Sequence, residues 1–165
     1  MFRNATFTDL DKITEIYNQA IASKKSTSDM QPFTAKQREG WFFEHNGNKR
    51  TPIYVYEEDG AVVGYCYLSA YRPGRQALEG IAEVSYYVDF KYHRKGIGIK
   101  LLQYSIYEAK KLGYKNLFAI VISSNDGSVV LLKKCGFKLW GVLPDIVYID
   151  NKIYSHFYYG LNLYL

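Results

Sequence analysis

Proline occurs four times, cysteine twice and histidine three times in 165 residues. Scarce proline, with 22% charged and 17% aromatic residues, excludes the composition that keeps a chain disordered. Cys66 and Cys135 are far apart and form no CxxC pair, so they read as small core residues in a reducing compartment. His45, His93 and His156 lack metal-ligand spacing and no HExxH accompanies them, so no metal is expected. No 18-residue apolar run occurs, and Asp9 and Asp11 interrupt the stretch where a signal peptide needs its apolar centre. A cytoplasmic protein with no membrane partner is expected. Neither a Walker A loop nor a complete GxGxxG is present, since Leu101 stands where the third glycine would be.

What is there begins with 48% hydrophobic residues, enough for one well-buried core in a chain too short for two ordinary domains. The reading is a single domain over 1–165. Seventeen tyrosines suit half-buried strand faces, each ring having an apolar body and a polar tip. The net charge of +5 and pI near 9.0 favour a polyanionic partner, either nucleic acid or a phosphorylated cofactor. Basic residues gather at Lys91, His93, Arg94, Lys95 and Lys100, while a second group from Lys110 to Lys138 reads as solvated surface.

Along the chain, Phe2 to Thr6 reads as a strand, and Thr8 with Asp11 forms a capping box ahead of a helix that buries Leu10, Ile13, Tyr17, Ala20 and Ile21. Thr34 and Gln37 repeat the box before a helix ending near Gly47. Two strands joined by Asp59-Gly60 predict a hairpin, and a third strand covers Ile81 to Val88. Helical periodicity from Gly98 to Leu112, then an apolar run from Asn116 to Ser123, predict a parallel β-α-β crossover. A short helix over Ser128 to Cys135 and two tyrosine-rich strands, Phe137 to Val147 and Tyr154 to Leu163, complete the sheet.

Tyr92 to Lys100 (YHRKGIGIK) carries the chemistry. A strand runs into Arg94-Lys95-Gly96-Ile97-Gly98-Ile99 and a helix begins at once. The glycines let backbone amides approach a ligand, and the helix N-terminus adds free N–H groups and a favourable dipole, which together make an anion cradle. A tight strand-to-helix turn accounts for the same residues. The segment resembles the [RQ]xxGx[GA] acetyl-CoA loop of the GNAT superfamily, with Arg94, Gly96 and Gly98 as its core. The resemblance extends to Asn125-Asp126-Gly127-Ser128 and to Lys134-Cys135-Gly136-Phe137, similar to the family's second cofactor segment and its GF turn, and spans nearly the whole chain. Within the superfamily it is most similar to the phosphinothricin and methionine-sulfone acetyltransferase group, through Gly80 to Val88 (GIAEVSYYV), Gly113-Tyr114-Lys115 and Asn125-Asp126.

The resemblance implies an α+β GNAT fold: a mixed, mostly antiparallel central sheet with a parallel β-α-β acyl-CoA-binding unit, flanked by helices. Acetyl-CoA is the implied cosubstrate, held by Tyr86, Val88, Arg94, Lys95, Gly96, Ile97, Gly98, Ile99, Lys100, Asn125 and Ser128, with no metal. Alternation puts Glu83, Ser85 and Tyr87 on one strand face, where few charges accompany the carboxylate and a raised pKa is plausible. An ion-paired strand glutamate fits the same pattern, and the resemblance is what makes Glu83 the catalytic base. Val88's backbone is implied to polarise the thioester carbonyl. Leu132 occupies the position at which many relatives carry a tyrosine acid, and Tyr154 lies near the group's second active-site position. Arg72 and Arg75 are implied to meet an amino-acid carboxylate, although Leu78 replaces an aromatic and Thr27-Ser28 an apolar-aromatic pair. The implied partners are a small-molecule primary amine and a second copy of the chain, paired through the C-terminal strands. A catalytically weak acyl-CoA-binding or sensing domain is the alternative. A nucleic-acid module is disfavoured because the charge clusters beside a glycine turn with no recognised motif.

Overall fold

The computed structural model describes residues 1–165. After β1 (Phe2–Asn4), a 3-10 turn (Phe7–Asp9) leads into α1 (Leu10–Ser23). The capping box lies two residues earlier than expected. Thr6 opens it, and Asp9 accepts from the Thr6 N–H at 2.7 Å, because Arg3 pulls the Asp9 carboxylate back with a 2.7 Å ion pair. The α1 stripe buries Leu10, Ile13, Tyr17, Ala20 and Ile21 as its spacing requires. The box at Thr34 and Gln37 is present, with the Thr34 hydroxyl accepting from the Gln37 N–H at 3.2 Å, and it starts α2 (Ala35–Asn46).

The hairpin joins β2 (Ile53–Glu58) to β3 (Ala61–Ala70) through Asp59 and Gly60. Both turn residues have positive φ, 49° and 77°, the pairing that fits the twist of a two-residue hairpin. Next come β4 (Ile81–Val88), α3 (Ile97–Lys111), β5 (Asn116–Ile122), α4 (Asp126–Lys134), β6 (Lys138–Ile149) and β7 (Lys152–Asn162). The seven strands lie in the order β1-β2-β3-β4-β5-β7-β6, and β4 with β5 is the parallel pair.

Strand alternation divides the molecule into two layers. Tyr65 of β3 packs with Ile13, Ile16 and Phe42 of α1 and α2. Ala82 and Val84 of β4 face the other way, onto Leu102 and Ala109 of α3 and Leu132 of α4. Glu83, Ser85 and Tyr87 therefore lie on the α1–α2 side, where Tyr87 meets the Tyr17 ring edge-on at 5.1 Å. Cys66 is fully buried, and burial pushes its thiol up to about 12, consistent with a packing role.

Candidate active site

β4 and β5 are paired only from Ile81/Asn116 to Glu83/Phe118. Beyond that pair the strands part, and a cavity of about 810 Å³ opens between Glu83–Val88 and Ala119–Ile122. The β3 register decides what β4 offers to it. The Asp89 N–H bonds to the Val63 carbonyl at 2.9 Å, so Gly64 and Val88 form a non-hydrogen-bonded pair. By alternation, Val84, Tyr86 and Val88 aim their backbone N–H and C=O groups away from β3, towards the cleft. An extended, amide-bearing chain can complete such an edge as an added strand would. The Val88 carbonyl is met at 2.9 Å by His93 Nε2, which assigns that nitrogen the ring proton.

At the end of β4 the chain turns through Asp89, which is 1% exposed. Its carboxylate accepts from Lys12 Nζ at 2.7 Å and from the Lys91 N–H at 3.0 Å, and Gln19 accepts from the Phe90 N–H at 2.7 Å, so α1 clamps the start of the loop. Arg94 and Gly96 then adopt positive φ, 61° and 78°, and α3 begins. The Lys100 N–H bonds back to Gly96, leaving the amides of Ile97, Gly98 and Ile99 directed out of the helix end. Arg94, Gly96, Ile97, Gly98 and Ile99 all line the cleft. A Cβ on Gly98 would meet Leu131 Cδ1 at 2.8 Å, so here the missing side chain lets α3 and α4 touch. These free amides and Arg94 fit a diphosphate.

Lys95 and Lys100 stand outside this cradle. Lys95 Nζ lies 4.7 Å over the Tyr92 ring, and Lys100 Nζ is 3.1 Å from the Tyr56 hydroxyl and 3.8 Å from Glu58. The helical turn between Gly96 and Lys100 carries the latter side chain round to the β2 side.

On the opposite wall, Asn125 Oδ1 accepts from the Ser128 N–H at 3.2 Å, which caps α4 two residues earlier than its expected start. Tyr86 spans the gap: its hydroxyl donates to Ser128 Oγ at 3.1 Å. Burial pushes the Tyr86 phenol up to about 12, keeping it a neutral donor. Leu132 is fully buried in the core beneath the sheet and does not reach the cleft.

Glu83 lines the cleft at the fork, and burial raises its carboxyl pKa with no charged neighbour opposing the shift. The same side is closed by Ala20, by Ser26, Thr27 and Ser28 after α1, and by His156 of β7. His156 had no marker in the sequence, because the chain pairing that brings it here links residues 128 positions apart: its Nε2 lies 3.2 Å from Ser28 Oγ. Tyr154 packs against Val147 and Ile149 and does not line the cleft. Arg72 and Arg75 are exposed on the loop before β4 and do not line it either. That loop nevertheless borders the fork, since Tyr71 meets the Phe118 ring edge-on at 5.2 Å.

No helix is long and apolar enough to cross a membrane, and no group of three or more His, Cys, Asp or Glu side chains is disposed to hold a metal. Residues 2–158 match the acetyltransferase (GNAT) domain family. The chain is 38% identical over 154 residues to YwnH of Bacillus subtilis, provisionally named a phosphinothricin acetyltransferase, covering 93% of each chain. It is 31% identical to the L-methionine sulfoximine/L-methionine sulfone acetyltransferase of Pseudomonas aeruginosa, over 87% of this chain and 83% of that one. Among solved structures, an N-acetyltransferase from Staphylococcus aureus superposes with a TM-score of 0.92 at 37% identity, covering 99% of this chain and 98% of that one. A phosphinothricin acetyltransferase from Sinorhizobium meliloti in complex with AcCoA gives 0.91 at 28%, covering 98% and 87%. With the forked β4–β5 pair and the amide cradle at α3, these matches establish that the chain belongs to the GNAT family of N-acetyltransferases.

Proposed function

We propose that the protein moves acetyl from acetyl-CoA to the primary amine of an amino acid or a close analogue, with Glu83 as the base. The observation that carries this reading is the cleft itself: a backbone edge and an anion cradle on one side of the fork, and a half-buried, unpaired carboxylate on the other. The family and the names of the relatives support it.

Acetyl-CoA supplies the activated acyl group. The residues fit it in three places. The amides of Ile97, Gly98 and Ile99, with Arg94, neutralise the diphosphate. Tyr86, by the backbone groups it turns to the cleft, holds the pantetheine amides, and the Val88 N–H polarises the carbonyl to be attacked. Asn125 and Ser128 confine the arm from α4. Glu83 in its ionised form removes the ammonium proton through a water, leaving the amine free to attack. Neither cysteine is placed to form an acyl-enzyme, so attack is direct: the C–N bond forms, the thioester C–S bond breaks, and CoA leaves as a thiolate that takes its proton from solvent. Arg72 and Arg75 lie on the loop that borders the fork, within the region from which an acceptor carboxylate is met.

The whole of 1–165 acts as one acetyltransferase domain, in the cytoplasm, as a homodimer. The edge strand β6 supports the dimer. It carries exposed Leu139, Trp140, Val142, Leu143 and Ile146, an apolar and unpaired rim that a second copy would cover. One observation favours a weaker, CoA-binding role: position 132 is a buried leucine and brings no proton donor to the cleft.

Incubation with acetyl-CoA and a panel of amino acids, following free thiol, tests the reading. Amine-dependent thiol release that Glu83→Gln abolishes is expected. Tight CoA binding without release on any amine overturns it in favour of the binding role.

A further inference from the structure

Glu83 and His156 share one face of the sheet. Glu83 is the parallel partner of Phe118, His156 is the antiparallel partner of Ile122, and Phe118 and Ile122 are an even number of residues apart on β5. Four residues along the strand and two strand spacings across the sheet separate them, about 16 Å between Cα positions. Both line the cleft, on the α1–α2 side, away from the cradle at α3.

The wall between and above them is polar. Ser85 follows Glu83 on β4, and Ser26, Thr27 and Ser28 descend from the end of α1, where Ser28 Oγ meets His156 Nε2 at 3.2 Å. Several polar side chains on the cofactor side of the cleft already have partners: the Tyr86 hydroxyl on Ser128, His93 Nε2 on the Val88 carbonyl and Asn125 on the Ser128 amide. His156 keeps a second ring nitrogen with no partner in the protein. Burial lowers its pKa, so at neutral pH the ring is uncharged and offers one donor and one acceptor.

We infer that His156, with Ser28, is a specificity-determining pair of the acceptor half-site, selecting amines whose side chain ends in a hydrogen-bonding oxygen or nitrogen over aliphatic ones of equal size. An aliphatic side chain in the same place would strip water from the imidazole and from the hydroxyls without replacing their hydrogen bonds, the arrangement that discriminates most strongly against an apolar analogue.

The inference rests on the acetyl-transfer reading, and its test separates the two. The full chain is assayed for thiol release with acetyl-CoA and size-matched acceptors, leucine against asparagine and norleucine against glutamine. The expected result is a tenfold or greater preference in kcat/KM for the amide member of each pair, which His156→Leu lowers at least tenfold while the KM for acetyl-CoA stays within twofold. Ser28→Ala, on an exposed loop where folding is not at stake, lowers the preference in the same direction by a smaller factor. An unchanged preference in both variants, or a wild-type preference for the aliphatic members, overturns the inference while leaving acetyl transfer standing. Absence of thiol release with every amine, with CoA binding retained by calorimetry, overturns both.

Discussion

Glu83 of β4 and Phe118 of β5 form the last parallel pair of the sheet, and the two strands separate immediately beyond them. The fork does two things at once. It turns backbone groups of Tyr86 and Val88 towards the cleft, and it leaves a half-buried carboxylate at the apex without an ionic partner.

Glu83→Gln should lower kcat/KM by roughly 10²- to 10⁴-fold, the usual contribution of a positioned base. With Glu83 as the proposed base, activity needs its ionised carboxylate, so the acidic limb of the pH profile should lie above the ordinary glutamate value of about 4.3. The same shift has a stability consequence. A carboxyl whose folded pKa is raised stabilises the fold below its unfolded pKa, and that contribution is lost as pH rises through the folded value. Thermal melts should therefore find Glu83→Gln more stable than wild type at pH 7, with the difference closing towards pH 4.

Asp89 has the opposite sign. Burial pushes its pKa up, but Lys12 and the Lys91 amide override this and hold it below the usual range. Its stabilisation is present above about pH 3.9 and is lost as pH falls through the folded value. Asp89→Ala should cost about 2 kcal/mol at pH 7 by denaturant titration. Because Asp89 also starts the loop leading to Arg94, the KM for acetyl-CoA should rise several-fold with a smaller change in kcat.

Tyr86→Phe removes the hydroxyl that joins β4 to α4 across the cleft. Losing it should cost the free protein about 1 kcal/mol of stability by denaturant titration. Calorimetric titration with CoA then reads what the ligand does to the bond: unchanged affinity means that it persists in the complex, and tighter binding by the variant means that the ligand breaks it.

The two cradle glycines should fail differently. At Gly96 an added Cβ would find nothing within 4 Å, but φ is 78°, so Gly96→Ala should cost about 1–2 kcal/mol through backbone strain. Gly98→Ala places its Cβ 2.8 Å from Leu131 Cδ1 and should displace α4 from α3. Its signature is weakened CoA binding beyond what its melting temperature accounts for.

If β6 is the dimer seam, Leu143→Lys with Ile146→Lys should yield monomers in sedimentation. Both side chains are more than 40% exposed, so the folded subunit should tolerate the change.

Much of the fold was legible because short-range physics sets it. The Thr34–Gln37 box, the Asp59-Gly60 turn and the apolar stripe of α1 lie in windows of a few residues, and each appears where its pattern puts it. The first capping box was displaced because Arg3 competes for Asp9, a contact that the capping pattern does not encode. Lys95 and Lys100 read as part of the cradle by proximity alone, and the rotation of about 100° per residue at the start of α3 takes Lys100 to Tyr56 instead.

By itself the sequence determined the order of strands and helices, the Gly96–Gly98 turn between basic residues, and the alternation that puts Glu83, Ser85 and Tyr87 on one face, since each depends on residues adjacent along the chain. The tertiary structure alone decided that β4 and β5 part after Glu83, that Leu132 is sealed in the core, and that His156 meets Ser28. Those outcomes depend on strand register and layer packing between residues tens of positions apart, where no local spacing records who meets whom.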